Sequence, residues 1–439
     1  MRTRPKRFAA IGALAVIAVA AAGCGGDDKS STSAAATTGG SATTVANGGS
    51  VANGGSTPPS FTGAPIKVIT IWPTGTTEAN FPEGLAAVRA GVRALNLRGG
   101  ISGHEVKLDY CNENNNAADA QACAQKATDP ANKYVAVLGM FSRQTGNMAI
   151  FEKASMPVIG SLGVGPDEST AKANFLLTAG LANFAVLPAS CQKQGAKRIG
   201  MVRFNVDASK ITEQFAQAGA KSLGLEWAGT VVVEPTNADY GPVAAQIKDE
   251  KADCVIMSLT EQATVAFIQA AGPDQLLFSH TDAGLSAANA KKLTGLKWAG
   301  AAQLPPLDAS TTDFPELAVF TKEMDAFYAS SDEGHADASP ALRKPGSSEL
   351  GWLAVQAFEQ VAPKVTGDLT AAAMTAQLNK TNDLELGLVP KIDFTAPPLV
   401  PTTRFFNGSA YLLTWDGSKF VVTDPKPVNA AQFLTKAPS

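Results

Sequence analysis

Arg143, Asp282, Glu261 and Trp72 are the residues of this chain best equipped to hold a small molecule, and each sits where a β-rich run gives way to a helical one. Arg143 offers a planar guanidinium whose paired N–H groups match a carboxylate, although many loop arginines are only solvated charges. Asp282 offers a countercharge for an ammonium, or a cap for the helix after it. Glu261 opens a helix, where the dipole alone accounts for an acid. Trp72 offers a flat apolar ring, yet an aromatic at a strand end is frequently core. Trp352 and Tyr240 read as packing residues.

Catalytic chemistry is poorly supplied. There is no GxSxG, P-loop or HExxH, and the Ser-x-x-Lys at Ser169–Lys172 lacks its SDN and KTG companions. Three His (His104, His280, His335) and five Cys leave little for a His/Cys metal site. His280 falls in a loop as a lone histidine, which weakens a pH-sensing role. We expect no catalytic residues, no metal and no cofactor.

Charge excludes another class. The 36 Lys and Arg are outnumbered by 39 Asp and Glu, and four of the cations (Arg2, Arg4, Lys6, Arg7) lie at the very start. No basic face remains for nucleic acid. With 439 residues, 45% apolar and 17% charged, the chain can bury two large cores.

Those cores need positioning elements. Strand candidates are Ile66–Ile71, Val106–Tyr110, Tyr134–Leu138, Val158–Gly160, Arg198–Phe204, Thr230–Val233, Cys254–Ser258 and Gln275–Phe278. Between them run the helix candidates Gly84–Leu97, Ala117–Thr128, Thr145–Ala154, Ile211–Leu223, Gly241–Asp249 and Glu261–Ala271. This βαβ alternation, with strands apolar on both faces, predicts parallel sheets covered by helices. It occurs in two blocks, about 66–180 and 184–300. The remainder adds helices at Pro315–Ala329, Ser348–Ala362 and Thr370–Leu378, then a hairpin turning at Asp416-Gly417. The expected fold class is α/β: two doubly wound parallel-sheet lobes joined by a multi-strand hinge. Lobe 1 is expected from 65–180 plus 306–405, and lobe 2 from 181–305 plus 406–439.

The first residues read as an export signal over 1–23. MRTRPKR precedes the apolar run Phe8–Gly23, which is short of the roughly 20 residues a spanning helix needs. Ala21-Ala22-Gly23-Cys24 resembles a bacterial lipoprotein cleavage box, with Ala21 where Leu is commonest, and so predicts a lipid on Cys24. Residues 24–64 then form a Gly/Ser/Thr linker in which VANGGS occurs twice, Val45–Ser50 and Val51–Ser56. About 35 such residues span on the order of 33 Å, enough to hold a folded body near a membrane without embedding it. Without Cys24, four Cys remain and allow three pairings. Cys111 and Cys123 flank a strand–helix junction, and Cys191 and Cys254 each lie at the head of a β run. Cys111–Cys123 and Cys191–Cys254 are the pairing expected in an exported chain.

In open α/β sheets, ligands sit beyond the carboxyl ends of the strands. That rule selects Trp72–Asn80, Phe141–Thr145 and Ser161–Gly165 in lobe 1, and Asn205–Ser209, Leu259–Gln262 and His280–Leu285 in lobe 2. Leu162 and Asn205 join the candidate contacts from these loops.

The body of the chain also resembles bacterial type I solute-binding proteins, the branched-chain amino-acid-binding group of ABC transporters. The resemblance rests on Asn96, Gly99, Gly100, Ile101 and Gly103 ahead of the helix from Ala117. It continues through Val135–Gly139 with Ser142, Met156-Pro157-Val158-Ile159, Thr178-Ala179-Gly180, Lys197-Arg198-Ile199-Gly200 and the closing YLLTWDG. It implies an interlobe cleft for a small polar metabolite, by default a branched-chain amino acid, handed to ABC permease subunits. Ser142 and Ser161 would then meet the ligand carboxylate, and Asp282 the ammonium. The third loop, Phe-Ser-Arg-Gln-Thr, and the fourth, Gly-Ser-Leu-Gly, depart from the family's Ser/Thr-rich pattern. The aromatic of the second lobe's first loop is replaced by Val206–Ala208. The expected protein is a monomer, lipid-anchored on the outer face of the cytoplasmic membrane. A sensor for a membrane partner or a secreted hydrolase are the alternatives.

Overall fold

The computed structural model describes residues 59–76, 79–398 and 404–434. The export signal, Cys24 and the repeated VANGGS fall outside the described residues. The chain is held to the folded body by Thr62, whose N–H donates to the Gly103 carbonyl (3.0 Å). His104 Nδ1 lies 2.7 Å from the Ala64 carbonyl, so this histidine fastens the incoming strand.

The first lobe is a five-stranded sheet of β1 (Ile66–Ile71), β2 (Val106–Cys111), β3 (Tyr134–Met140), β4 (Val158–Ser161) and β5 (Asn174–Phe175). Their order is β2-β1-β3-β4-β5 and every pair is parallel. All seven residues of β3 are buried, which is why this run is apolar without alternation. One face is covered by the helices Pro82–Leu97, Glu316–Tyr328 and Ser347–Val361, packing Trp72, Leu85, Phe320, Trp352 and Phe358 into one core. The other is covered by Ala117–Thr128 and Asn147–Lys153 through Cys123, Ala124, Met148 and Phe151.

The second lobe holds β6 (Arg198–Phe204), β7 (Glu226–Val233), β8 (Cys254–Ser258), β9 (Leu277–Ser279), β10 (Lys297–Ala302), β11 (Ser409–Trp415), β12 (Phe420–Val422) and β13 (Val428–Asn429). The order is β7-β6-β8-β9-β10-β11-β12, with β13 also on β11. Pairing is parallel as far as β10, and β11 turns the sheet antiparallel. The helices Gly241–Asp249 and Glu261–Ala271 cover one face, Leu187–Lys193 and Asp207–Ser222 the other. Both lobes are therefore doubly wound, as the alternation predicts.

β10 is absent from the sequence expectation because Trp-Ala-Gly-Ala-Ala has little β-branched character; its buried place between β9 and β11 makes it a strand. Both disulfides take the expected pairing, Cys111–Cys123 and Cys191–Cys254.

The chain passes between lobes around residues 176–179, 303–314 and 404–408. Leu176, Ala179, Ala182 and Phe405 pack together where the first and third passages meet. Asn407 Nδ2 ties them by donating to the Leu177 carbonyl at 2.8 Å. Gly180 has φ +53°, and a Cβ there would lie 2.7 Å from the Gly163 carbonyl oxygen, so only glycine fits this turn.

Candidate ligand-binding site

The loops after β1 and β3 bring the half-buried Phe81, the buried Phe141 and Arg143 to the strand ends of the first lobe, where Lys344 joins them from the segment before Ser347–Val361. Phe81 and Phe141 stack with centroids 4.4 Å apart. Arg143 lies over the Phe141 ring at 5.4 Å and Lys344 over the Phe81 ring at 5.5 Å. Lys344, from the segment leading into Ser347–Val361, also donates to the Asn80 carbonyl (3.2 Å) and lies 3.4 Å from the buried Glu83 carboxylate. Trp72 takes no part in this surface. It is fully buried, its Nε1 donating to Thr70 Oγ1 at 2.8 Å, and its ring lies against Gly84, where a Cβ would collide at 2.7 Å. The strand-end aromatic is core here, as is Phe141, and the half-buried Phe81 is the ring nearer the opening.

The two serines are held inside. Ser161, the last residue of β4, is fully buried, donates to Glu168 Oε2 (3.2 Å) and accepts from Asn174 Nδ2 (2.9 Å). Burial pushes the Glu168 carboxyl up to about 8, against the pull of hydrogen bonds from Gly165, Ser161 and Val164. A neutral acid therefore fixes the loop after β4, which carries the half-buried Leu162 toward the opening. Ser142 Oγ accepts from the Gln144 N–H (3.2 Å) and from Asn147 Nδ2 (3.1 Å). Beneath it lies Glu113, with no exposed surface, its pKa raised by burial to about 7 although Ser142 and the charge of Arg143 pull it down.

The second lobe presents acids. Asp282 opens a short 3-10 turn after β9 and is half-buried. Glu261 accepts from the Ser286 N–H (2.7 Å) and Asn289 Nδ2 (2.8 Å). Burial raises Glu261, but these bonds and the charge of Lys344 outweigh it, and its pKa is lowered overall. Asn205 is exposed and donates to Glu234 Oε1 at 2.9 Å. His280 is a brace: it is buried against Leu259, Thr281 and the edge of Phe184, and burial lowers its pKa to about 4, so it stays neutral.

Two links cross between these surfaces. Lys344, docked on the first lobe, feels the charge of Glu261 on the second. Asp282 approaches Gly346, whose N–H donates to Glu349 Oε2 at 3.0 Å, and the charge of Asp282 adds to the burial that raises the Glu349 pKa well above the ordinary carboxyl range. The structure thus brings Arg143, Leu162, Asp282, Glu261 and Asn205 to loop positions at the carboxyl ends of the strands. It withdraws Trp72, Ser142 and Ser161 from solvent.

Sequence reasoning passed over Glu113, Lys344 and Glu349. Glu113 follows β2 and was open to the same strand-end rule as the other loops. Lys344 and Glu349 carry no comparable signal, because the segment before Ser347 reaches the site only through the lobe-to-lobe passage. No group of three or more His, Cys, Asp or Glu arranged for a metal ion occurs among the described residues, and none of their helices is long and apolar enough to cross a membrane.

The chain matches the periplasmic binding protein family over residues 65–419 and belongs to it. This is the family that the residues around Asn96–Gly103 resemble, and its members bind solutes outside the cytoplasm. A search of curated sequences finds no significant match. Among solved structures, a solute-binding protein of an ABC transporter from Rhodopseudomonas palustris, in complex with p-hydroxybenzoic acid, is 17% identical with a TM-score of 0.66. The alignment covers 85% of this chain and 99% of that one. The branched-chain amino acid transporter substrate-binding protein of Streptococcus pneumoniae, in complex with isoleucine, is 15% identical with a TM-score of 0.63, over 83% and 99% of the two chains. A fatty acid ABC transporter substrate-binding protein from Thermomonospora curvata is 17% identical with a TM-score of 0.63, over 85% and 95%. The shared fold is that of type I periplasmic binding proteins.

Proposed function

We propose that this protein is the capture component of an ABC importer. It takes a small carboxylate-bearing metabolite, an amino acid foremost, between its lobes and releases it unchanged to permease subunits. One observation carries this proposal: the cations Arg143 and Lys344, with the half-buried Phe81, rim the first lobe's strand ends, and acids (Glu261, Asp282) rim the second's. A dipolar solute lowers the energy of bringing such surfaces together, and exclusion of water strengthens each charged contact. Arg143 supplies the fork for the carboxylate; Leu162 and Asn205 complete the walls. The similar structures carry isoleucine, p-hydroxybenzoic acid and fatty acid in their descriptions, so the shared fold is no guide to a branched-chain ligand, and the ligand class is drawn from the residues. We place the protein outside the cytoplasmic membrane, held by a lipid on Cys24 and acting as a monomer.

A thermal-shift screen over metabolites tests this. A solute at about 100 times its Kd stabilises the folded state by about 2.7 kcal/mol. The ligand should be recovered chemically intact, and scattering should show the particle contract when it binds. A hit that is turned over, or a screen without any stabilising solute, removes the proposal.

A further inference from the structure

The two disulfides differ in their access to solvent. Cys191 and Cys254 are both 0% exposed, the first on the helix Leu187–Lys193 and the second on β8, which β6 and β9 flank. Cys123 is 1% exposed, but Cys111 is half-buried at the end of β2, an edge strand of the first sheet. Lys126, one turn beyond Cys123, reaches back to the Tyr110 carbonyl beside Cys111 (3.1 Å) and so puts a cation near the bridge. A thiolate attacks the sulfur it can reach, and a neighbouring cation favours the thiolate that leaves.

The bridge spans the loop 112–116. Asn114 and Asn115 hold φ +47° and +53°, a left-handed backbone that costs most residues and asparagine less. Asn112 pairs with Thr74 of the β1 loop in both directions: the Thr74 N–H donates to Oδ1 (3.1 Å), and Nδ2 donates to the Thr74 carbonyl (3.0 Å). The Gly75 N–H then donates to Asn80 Oδ1 (2.8 Å), and the Asn80 carbonyl takes Lys344. Hydrogen bonds thus run from the bridge to the rim of the first lobe.

We propose that Cys111–Cys123 is a thiol-exchange site, opened by a small dithiol in the folded protein ahead of Cys191–Cys254, and that opening it frees the loop 112–116 and its hold on Thr74. The reductant's thiolate attacks Cys111 Sγ, and the S–S electron pair goes to Cys123 Sγ, which takes a proton. The second thiol of the reductant then displaces Cys111, which is protonated in turn, and closes the reductant's own disulfide. Two electrons and two protons pass to the bridge. The helix Ala117–Thr128 keeps its Asn116 cap and its packing through Ala124 and Ala127, so the lobe stays folded. This chemistry is independent of which solute the lobes take.

Graded dithiothreitol on the folded protein tests it, with acid quenching, unfolding, alkylation and peptide mass spectrometry to count the open bonds. Cys111 and Cys123 should become open to alkylation at least about tenfold faster than Cys191 and Cys254. In the singly reduced protein, hydrogen exchange of the Thr74 and Asn114 amides, both bonded to Asn112 Oδ1, should quicken about tenfold or more, while β3 and β8 keep their protection. Asn112→Ala, left oxidised, should quicken the same two amides without opening either bond; the wild-type measurements stand if this variant does not fold. Bridges that open together, or that open only once β3 and β8 lose protection, would overturn the exchange site. Unchanged exchange at Thr74 and Asn114, after selective reduction or in Asn112→Ala, would overturn its hold on the loop.

Discussion

The Lys344 ammonium lies 3.4 Å from a Glu83 carboxylate that is 1% exposed, joining the segment ahead of Ser347–Val361 to the helix Pro82–Leu97. Ser347 Oγ donates to the same carboxylate at 2.8 Å. Burial still dominates and raises the Glu83 pKa, so the acid is ionised only at the cost its partners offset. Lys344→Met should destabilise the fold by about 1–3 kcal/mol, below the range for a fully buried pair because Lys344 is itself exposed. Urea denaturation of Lys344→Met, Glu83→Gln and the double variant measures this. The double variant should recover most of the loss; strictly additive effects would show that the two side chains act independently.

Glu168 predicts a pH dependence of stability. Its carboxyl titrates at about 8 in the folded protein, above the value of about 4.3 in an unfolded chain. Stability from this group is therefore complete below about pH 4.3 and is lost as pH rises toward 8, at up to about 1.4 kcal/mol per pH unit. His280 has the opposite sign, since its lowered pKa removes stability as pH falls below about 6.5 toward 4. Melting curves of wild type and Glu168→Gln from pH 5 to 8 separate the two: the difference between the proteins should change steadily across this window. A constant difference would mean that Glu168 is ionised inside the fold.

The disulfides should contribute unequally. Cys111–Cys123 closes a short loop and Cys191–Cys254 a long one, with sequence separations of 12 and 63. Chain-entropy arguments assign them about 3 and about 4 kcal/mol respectively. Paired Cys→Ser variants measured by denaturation should follow that order. Full reduction without any drop in melting temperature would contradict it.

Gly180→Ala should disturb the first passage between lobes. The residue has φ +53° and faces the Gly163 carbonyl closely enough to exclude a methyl group. We expect a loss of about 1–3 kcal/mol, from strain and a shifted backbone, in a thermal unfolding experiment. Gly417→Ala, in the hairpin turn where a Cβ meets nothing within 4 Å, should cost less.

The lobes were legible because their strands are continuous apolar runs and their helices carry clear starts. Thr260 and Asn116, for instance, cap Glu261–Ala271 and Ala117–Thr128 with their side chains, as their residue types suggest. The site was legible only as a set of loops. Sequence order put Trp72, Ser142 and Ser161 at strand ends but could not say that Gly84, Asn147 and Glu168 would enclose them. Lys344 and Asp282 are far apart in the chain and meet the same region only through the passages between lobes. Burial of acids such as Glu113 and Glu168 likewise depends on long-range packing that no local pattern encodes.

The hydrogen bond from Asn407 to Leu177, with Phe405 packed on Leu176 and Ala179, knots together two stretches of backbone more than two hundred residues apart. A protease cut in either stretch would therefore leave the halves joined, both by this knot and by the uncut covalent path. Nicked protein should travel as one particle until denaturant dissolves the knot, so survival of the whole under partial digestion says little about which bond was cleaved.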